Sequence, residues 1–229
     1  MTTVRPAAAP SFPAPPGERD GPRGMSVAAC RAAPSVVLVD AGGTNIGSVR
    51  YALQRLGVEA VLTTDASAIR AADKVILPGV GAAGPGMARL RALGLVDLLR
   101  SLTQPVLGVC LGMQLLCVHS EEGDTQCLGL IPASVHRVVA TTGLRVPHVG
   151  WNRLLPRRPH PLLAGVGADD QAYFVHSYAV PLGDYSLASV EHGEAFSAVI
   201  ARGNFYGMQF HPERSSVAGA RLLKNFLEL

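Results

Sequence analysis

The chain is poor in several things, and each shortage excludes something. Only 5% of its 229 residues are aromatic, with a single Trp, only 16% are charged, and the net charge is +3. So small an excess, without any run of Lys or Arg, argues against a nucleic-acid or membrane-surface partner. The four cysteines, Cys30, Cys110, Cys117 and Cys127, show no paired C-x-x-C spacing. A disulfide framework and a zinc site are therefore poor readings, and a reducing cytoplasm is the expected location. Nothing in the pattern asks for a metal or another cofactor. Apolar runs stop short of the ~18 residues that a membrane span requires. What is present is a chain that is 48% hydrophobic, long enough to bury the core of one α/β domain.

Seven of the 17 prolines fall within residues 1–34, mixed with alanines and without periodicity. That composition predicts a disordered tail, and the stretch has no apolar h-region of a secretory signal. Glu18 and Asp20 interrupt its arginines, which disfavours an organelle transit peptide. The folded domain is expected over residues 35–229.

Within it, Val36–Val39 is an unbroken apolar run, the pattern of a strand buried on both faces, and Lys74–Leu77 reads as another buried strand. Val58–Leu62 reads as a further strand. Helical spacing covers Ile46–Leu56, Ser67–Ala72 and Gly86–Leu102. Strands alternating with helices of this length predict a doubly wound, mostly parallel α/β sheet. Gly42 and Gly47 suggest a P-loop, but Ser48 stands where the phosphate-binding Lys is needed, and the reading is rejected. From Leu128 to Ala201 the segments shorten and become rich in Val, Tyr and Phe. Ser134–Ala140, Val146–Trp151, Ala172–Val180, Ser186–Val190 and Phe196–Ile200 read as an antiparallel β extension. Tyr206–Phe210 is a last strand and Ser215–Leu229 a closing helix.

The chemistry centres on Pro105 to Leu116, an apolar strand, a Gly-x-Cys-x-Gly turn and the start of a helix. This is the thiol form of a nucleophile elbow, with Gly108 and Gly112 permitting close approach around Cys110. A sulfur at a helix start meets unpaired N–H groups that favour the thiolate and can bind an oxyanion. A cysteine in an apolar run also suits a small buried hydrophobe, so a partner has to decide. His211-Pro212-Glu213 at the end of a strand supplies one: with residues i and i+2 on one side of an extended backbone, Glu213 can orient His211, which can take the thiol proton. The loop Pro78-Gly79-Val80-Gly81 offers backbone N–H groups at a strand's carboxyl end, where open α/β sheets bind ligands.

Gly108-Val-Cys110-Leu-Gly-Met-Gln114 together with Phe210-His211-Pro-Glu213-Arg-Ser215 resembles the class I (triad) glutamine amidotransferases. Pro78-Gly-Val-Gly81, Val146-Pro-His-Val-Gly-Trp-Asn152 and Tyr173-Phe-Val-His-Ser-Tyr178 narrow the resemblance to the HisH-type glutaminase subunits of imidazole glycerol phosphate synthase. It spans roughly residues 35–229, with Arg214 in place of the usual Lys. The resemblance implies Cys110, His211 and Glu213 as a triad hydrolysing glutamine to glutamate and ammonia. It implies an oxyanion hole at Leu111 and the Gly79-Val80 peptide, and a glutamine pocket that includes Gln114, Ser177 and Tyr178. It also implies a separate HisF-type (β/α)₈-barrel cyclase as partner in a heterodimer, since this chain is too short to contain the barrel. Ammonia would pass through that barrel to convert PRFAR to imidazole glycerol phosphate and AICAR, in histidine biosynthesis. Asn45, Gly81 and Trp151 would lie near that interface, although Trp151 also suits ordinary core packing.

Three rivals remain at this point. A sister protein serving another acceptor would share the triad, but the Pro147–Asn152 segment argues against it. A non-catalytic relative is opposed by the intact Cys110, His211 and Glu213. A cysteine peptidase of related architecture would place its histidine nearer the elbow.

Overall fold

The computed structural model describes residues 34–42, 46–140 and 143–229. The expected tail thus falls outside the described residues except for Pro34, and so does Asn45. The strands are β1 (Val36–Val39), β2 (Ala60–Thr63), β3 (Lys74–Gly79), β4 (Val106–Cys110), β5 (Cys117–Ser120), β6 (Thr125–Gln126) and β7 (Ile131–Arg137). They continue as β8 (His148–Arg153), β9 (Leu155–Pro156), β10 (Gln171–His176), β11 (Tyr178–Ala179), β12 (Ser186–His192), β13 (Glu194–Arg202) and β14 (Phe205–Met208). The helices are α1 (Ile46–Arg55), α2 (Ala66–Ala71), α3 (Ala83–Ala92), α4 (Leu95–Ser101), α5 (Leu111–Leu115) and α6 (Ser216–Glu228).

An eight-stranded sheet runs β2-β1-β3-β4-β14-β13-β12-β9. Its first five members are parallel and the last three antiparallel. Alternation along the strands explains why both faces are covered. Val36 and Leu38 of β1, Ile76 of β3 and Leu107 and Val109 of β4 enter one core layer, closed by Val49 and Leu53 of α1 and Leu222, Leu223 and Phe226 of α6. Val37 and Val39, Val75 and Leu77, and Val106 enter the other, closed by Ile69, Met87, Leu90, Leu95, Leu98 and Leu99. Each such fully buried Leu, Ile or Phe contributes about 1.5–3 kcal/mol. A second sheet runs β11-β7-β5-β6, and β8 and β10 form a separate two-stranded ribbon.

The expected single helix over Gly86–Leu102 is two. α3 starts earlier, at Ala83, and ends at Ala92, and Gly94 takes φ +66° before α4. The apolar spacing already changes phase there, from Leu90 and Leu93 to Leu95, Leu98 and Leu99, so one continuous helix could not have buried both sets on one face. The Ala172–Val180 strand divides at Ser177 into β10 and β11, which pair in different sheets. β5 and β6 have no counterpart in the sequence reading, because β5 follows the elbow helix with no intervening turn signal.

Candidate active site

Cys110 is the last residue of β4 and the N-cap of α5, with φ +53° and ψ −112°. A non-glycine residue in that region costs about 1–3 kcal/mol, so the surrounding packing must impose it. Glycines allow that packing. A Cβ on Gly108 would lie 2.5 Å from the Gly112 carbonyl oxygen, one on Gly79 would lie 2.7 Å from the Gly112 nitrogen, and one on Gly207 would lie 2.6 Å from Met113 Cγ. A Cβ on Gly112 would overlap the Leu77 carbonyl oxygen. Three neighbouring strands thus each present a bare Cα to α5, which lies flat on the sheet. The helix is only five residues long, so its contribution at the sulfur is the local first-turn N–H groups rather than a summed dipole.

His211 reaches the elbow from the neighbouring strand, since β14 runs parallel to β4 and Met208 stands opposite Val109. The reason expected for the His211–Glu213 pairing is corrected. Strand β14 ends at Met208, and Pro212–Arg214 is a 3-10 turn capped by His211, not extended backbone. The turn still brings His211 Nδ1 to 2.9 Å from Glu213 Oε1, with both side chains buried. Ser215 holds it in place: its hydroxyl donates to the His211 carbonyl at 2.7 Å and accepts from the Tyr173 N–H at 2.9 Å. The His211 N–H donates to the Tyr173 carbonyl at 3.0 Å.

Burial works against a charged His211, but hydrogen bonds to the Cys110 sulfur and to Glu213 outweigh it and raise the imidazole from 6.5 to about 10. At neutral pH the proton therefore resides on the ring, within hydrogen-bonding reach of the Cys110 sulfur. The other two described cysteines differ. Burial pushes the Cys117 thiol strongly upward and the Cys127 thiol up to about 11.

Cys110 and His211 open onto a cleft of about 340 Å³ that is also lined by Val80, Gly81, Leu111, Gln114, Ser177 and Tyr178. These expected site residues therefore meet around one space. Gly79 stands apart, packed beneath the elbow and opposite Cys110 in the β3–β4 register. Gly81 has φ +96° with open space where a Cβ would be. Sequence reasoning missed Glu122, which lines the same cleft and accepts from the Ala83 N–H at 2.8 Å. It follows β5 in a turn, and no local signal marks it. Among the described residues, no three His, Cys, Asp or Glu side chains converge to hold a metal ion. Among them, too, no helix is long and apolar enough to cross a membrane.

The β8–β10 ribbon borders the cleft through Val175 and His176, with Pro147 just before β8, and its two faces differ. On the buried face are His148 and His176, paired in register, with Phe174. The Tyr178 carbonyl can only accept, so the contact at 2.9 Å makes His176 Nδ1 the donor. His176 Nε2 is then the acceptor for His148 Nδ1–H at 3.1 Å. Asn152 Nδ2 lies 3.4 Å from the remaining His148 nitrogen, and the His148 ring stacks on His192 with centroids 4.1 Å apart. Burial first, and then neighbouring histidines, hold His148 down at about 4 and His176 at about 3. The unfolded chain binds protons at these residues that the folded chain refuses, so stability falls as pH drops below about 6.5. We expect a loss of roughly 1–2 kcal/mol per histidine at pH 5, or about 5–10 °C in Tm for both. Thermal unfolding from pH 7 to pH 5 checks this. Imidazole resonances of folded protein that titrate near pH 6.5 at both positions would contradict it.

The opposite face carries Val149 opposite Val175, which also borders the cleft, and Trp151 opposite Tyr173. Trp151 is 51% exposed and Val149 57% exposed. Trp151 thus packs edge-on against Tyr173, at 5.9 Å between centroids, rather than in the core, and the Arg214 guanidinium sits 4.5 Å above the Tyr173 ring.

A strained thiol at the carboxyl edge of a parallel sheet, facing an imidazole with a carboxylate behind it, is equipment for acyl transfer through a thioester. In agreement, residues 37–229 match the family described as glutamine amidotransferase class-I. Solved structures share the fold at low identity. A glutamine amidotransferase is 24% identical with TM-score 0.66, covering 84% of this chain and 97% of that one. The structure of PurLQS from Thermotoga maritima is 17% identical with TM-score 0.66, covering 85% of this chain and 98% of that one. Curated relatives are much nearer in sequence. The imidazole glycerol phosphate synthase subunit HisH of Xanthomonas axonopodis pv. citri is 56% identical over 194 residues, and that of Xylella fastidiosa (strain Temecula1) is 58% identical over 194, each match covering 85% of this chain and 97% of the relative. The chain belongs to the class-I glutamine amidotransferases, in the branch formed by the HisH subunits.

Proposed function

We propose that this chain hydrolyses glutamine to glutamate and ammonia as the glutaminase half of an imidazole glycerol phosphate synthase. The observation that carries the reading is Cys110 held at positive φ beside a His211 lifted to about 10, in a chain 56% and 58% identical to HisH subunits. The Cys110 thiolate adds to the glutamine carboxamide carbon. His211 gives its proton to the leaving nitrogen as the C–N bond breaks, releasing NH₃ and leaving a γ-glutamyl thioester. His211 then takes a proton from water, which attacks the thioester and frees glutamate and the thiolate. Glu213 keeps the ring oriented and offsets its charge. The Leu111 N–H and an N–H of the Gly79-Val80 peptide are the oxyanion donors, each worth about 10²–10³ in rate. Gln114, Ser177 and Tyr178 hold the substrate, and Glu122 supplies the carboxylate that complements its α-ammonium group.

Ammonia is useful as a nucleophile only while unprotonated, which favours delivery to a docked acceptor enzyme over release. The exposed apolar face of the ribbon, Val149, Trp151 and Val175, with Gly81 at the cleft mouth, suits such docking. The HisF-type barrel cyclase, acting on PRFAR in the cytoplasm, is the partner this reading requires, in a heterodimer. Asn45, also expected at that interface, lies outside the described residues. The test measures glutamine turnover by the full chain alone and with the cyclase and its nucleotide ligand. Turnover that rises on adding both, together with co-purification of the two chains, is the expected result. A chain that neither binds the cyclase nor hydrolyses glutamine in its presence would sink the proposal.

A further inference from the structure

Behind the elbow lies a buried group that the mechanism above does not use. Gln209 follows β14 and is fully buried, although a carboxamide without partners is costly to bury. Its Oε1 lies 3.0 Å from Gln114 Nε2, and its Nε2 lies 3.9 Å from Cys110 Sγ, within the longer reach of a sulfur acceptor. Gln114 Nε2 also lies 2.9 Å from the Tyr178 carbonyl.

These contacts fix which end of each amide points where. The Tyr178 carbonyl can only accept, so the Gln114 atom facing it must be the NH₂ group. That same NH₂ faces Gln209, so the Gln209 atom meeting it must be the oxygen. The end of Gln209 turned toward Cys110 is therefore an N–H donor. One backbone carbonyl thus sets the polarity of both side chains. With its NH₂ group held at the back by two acceptors, Gln114 has its oxygen left to serve as an acceptor for substrate.

We infer that Gln209 is a positioning residue for glutamine hydrolysis, acting through both Cys110 and Gln114. Its N–H donates to the sulfur, a bond that is stronger to a thiolate than to a thiol. Its oxygen locks the Gln114 amide in the orientation that accepts from the substrate's N–H groups. The inference rests on Cys110 being the nucleophile.

Two near-isosteric variants separate the two actions. Gln209→Met removes both contacts. Gln209→Glu keeps an oxygen for Gln114 but replaces the N–H facing the sulfur. The readouts are the pH–rate profile of iodoacetamide alkylation, followed at the Cys110 peptide by mass spectrometry, and kcat and KM for glutamine with the cyclase present. In Gln209→Met the alkylation profile is expected to move up by about one pH unit and KM to rise several-fold. In Gln209→Glu the profile moves at least as far, with KM close to that of the parent chain. A merely structural role would lower the melting temperature and leave the alkylation profile in place. An unmoved profile in either folded variant, or equal KM changes in both, overturns the inference. Separately, labelling of the parent chain by diazo-oxo-norleucine tests the nucleophile: an unlabelled Cys110 would refute the proposed function rather than the role of Gln209.

Discussion

Replacing Cys110 with alanine is expected to lower glutamine hydrolysis by at least about 10⁴-fold, because residues of a triad act as a unit and the nucleophile has no substitute. The same complex supplied with ammonium salt should make imidazole glycerol phosphate at the parent rate, since only the ammonia source has been removed. Cys117→Ser is the matched control. That thiol is buried beside the Met113 carbonyl, 3.8 Å away, and burial holds it protonated. Its replacement should leave hydrolysis largely intact. If Cys110→Ala and Cys117→Ser lost activity equally, the sulfur at 110 would not be the nucleophile.

The largest structural effect is expected at Gly112. Any Cβ there overlaps the Leu77 carbonyl, and a backbone atom in the middle of a parallel sheet cannot move aside as a side chain can. Gly112→Ala should cost at least about 3 kcal/mol, the upper end for overpacking, and the helix must lift off the sheet to accommodate it. Gly57→Ala provides the comparison: φ there is +77°, with nothing within 4 Å of the added carbon. It carries only the conformational penalty, about 1 kcal/mol. Urea unfolding of both variants distinguishes close approach from backbone strain. Equal losses would mean that the elbow does not depend on contact between bare Cα atoms.

Much of this is legible from residue order alone because the central strands are buried on both sides. Val36–Val39 and Val75–Leu77 are apolar along their length, a pattern that a covered parallel sheet explains. The elbow is equally readable, since glycines flanking a cysteine between a strand and a helix have few other uses. The link between His211 and Glu213 is legible for the wrong reason. Alternation along a strand suggests it, whereas a 3-10 turn clamped by Ser215 brings the two together. Gln209 and Glu122 are not legible. Each gains its meaning from a partner far along the chain, Gln209 from Gln114 and Cys110, and Glu122 from Ala83. No local pattern encodes such pairings. The ribbon is only half readable: its strands can be anticipated, but not which face is buried.

Because β8 and β10 present alternate residues to opposite sides, the ribbon separates two kinds of selection that a helix or loop would mix. A change at Val149 or Trp151 alters what the outside of the molecule can recognise, without disturbing the tautomers of His148 and His176 on the opposite face. Drift in one protein's contact surface can therefore be matched by drift in its partner's while the chemistry stays fixed. A single-residue insertion in either strand would exchange the two sets at once, so length should be held more tightly here than identity.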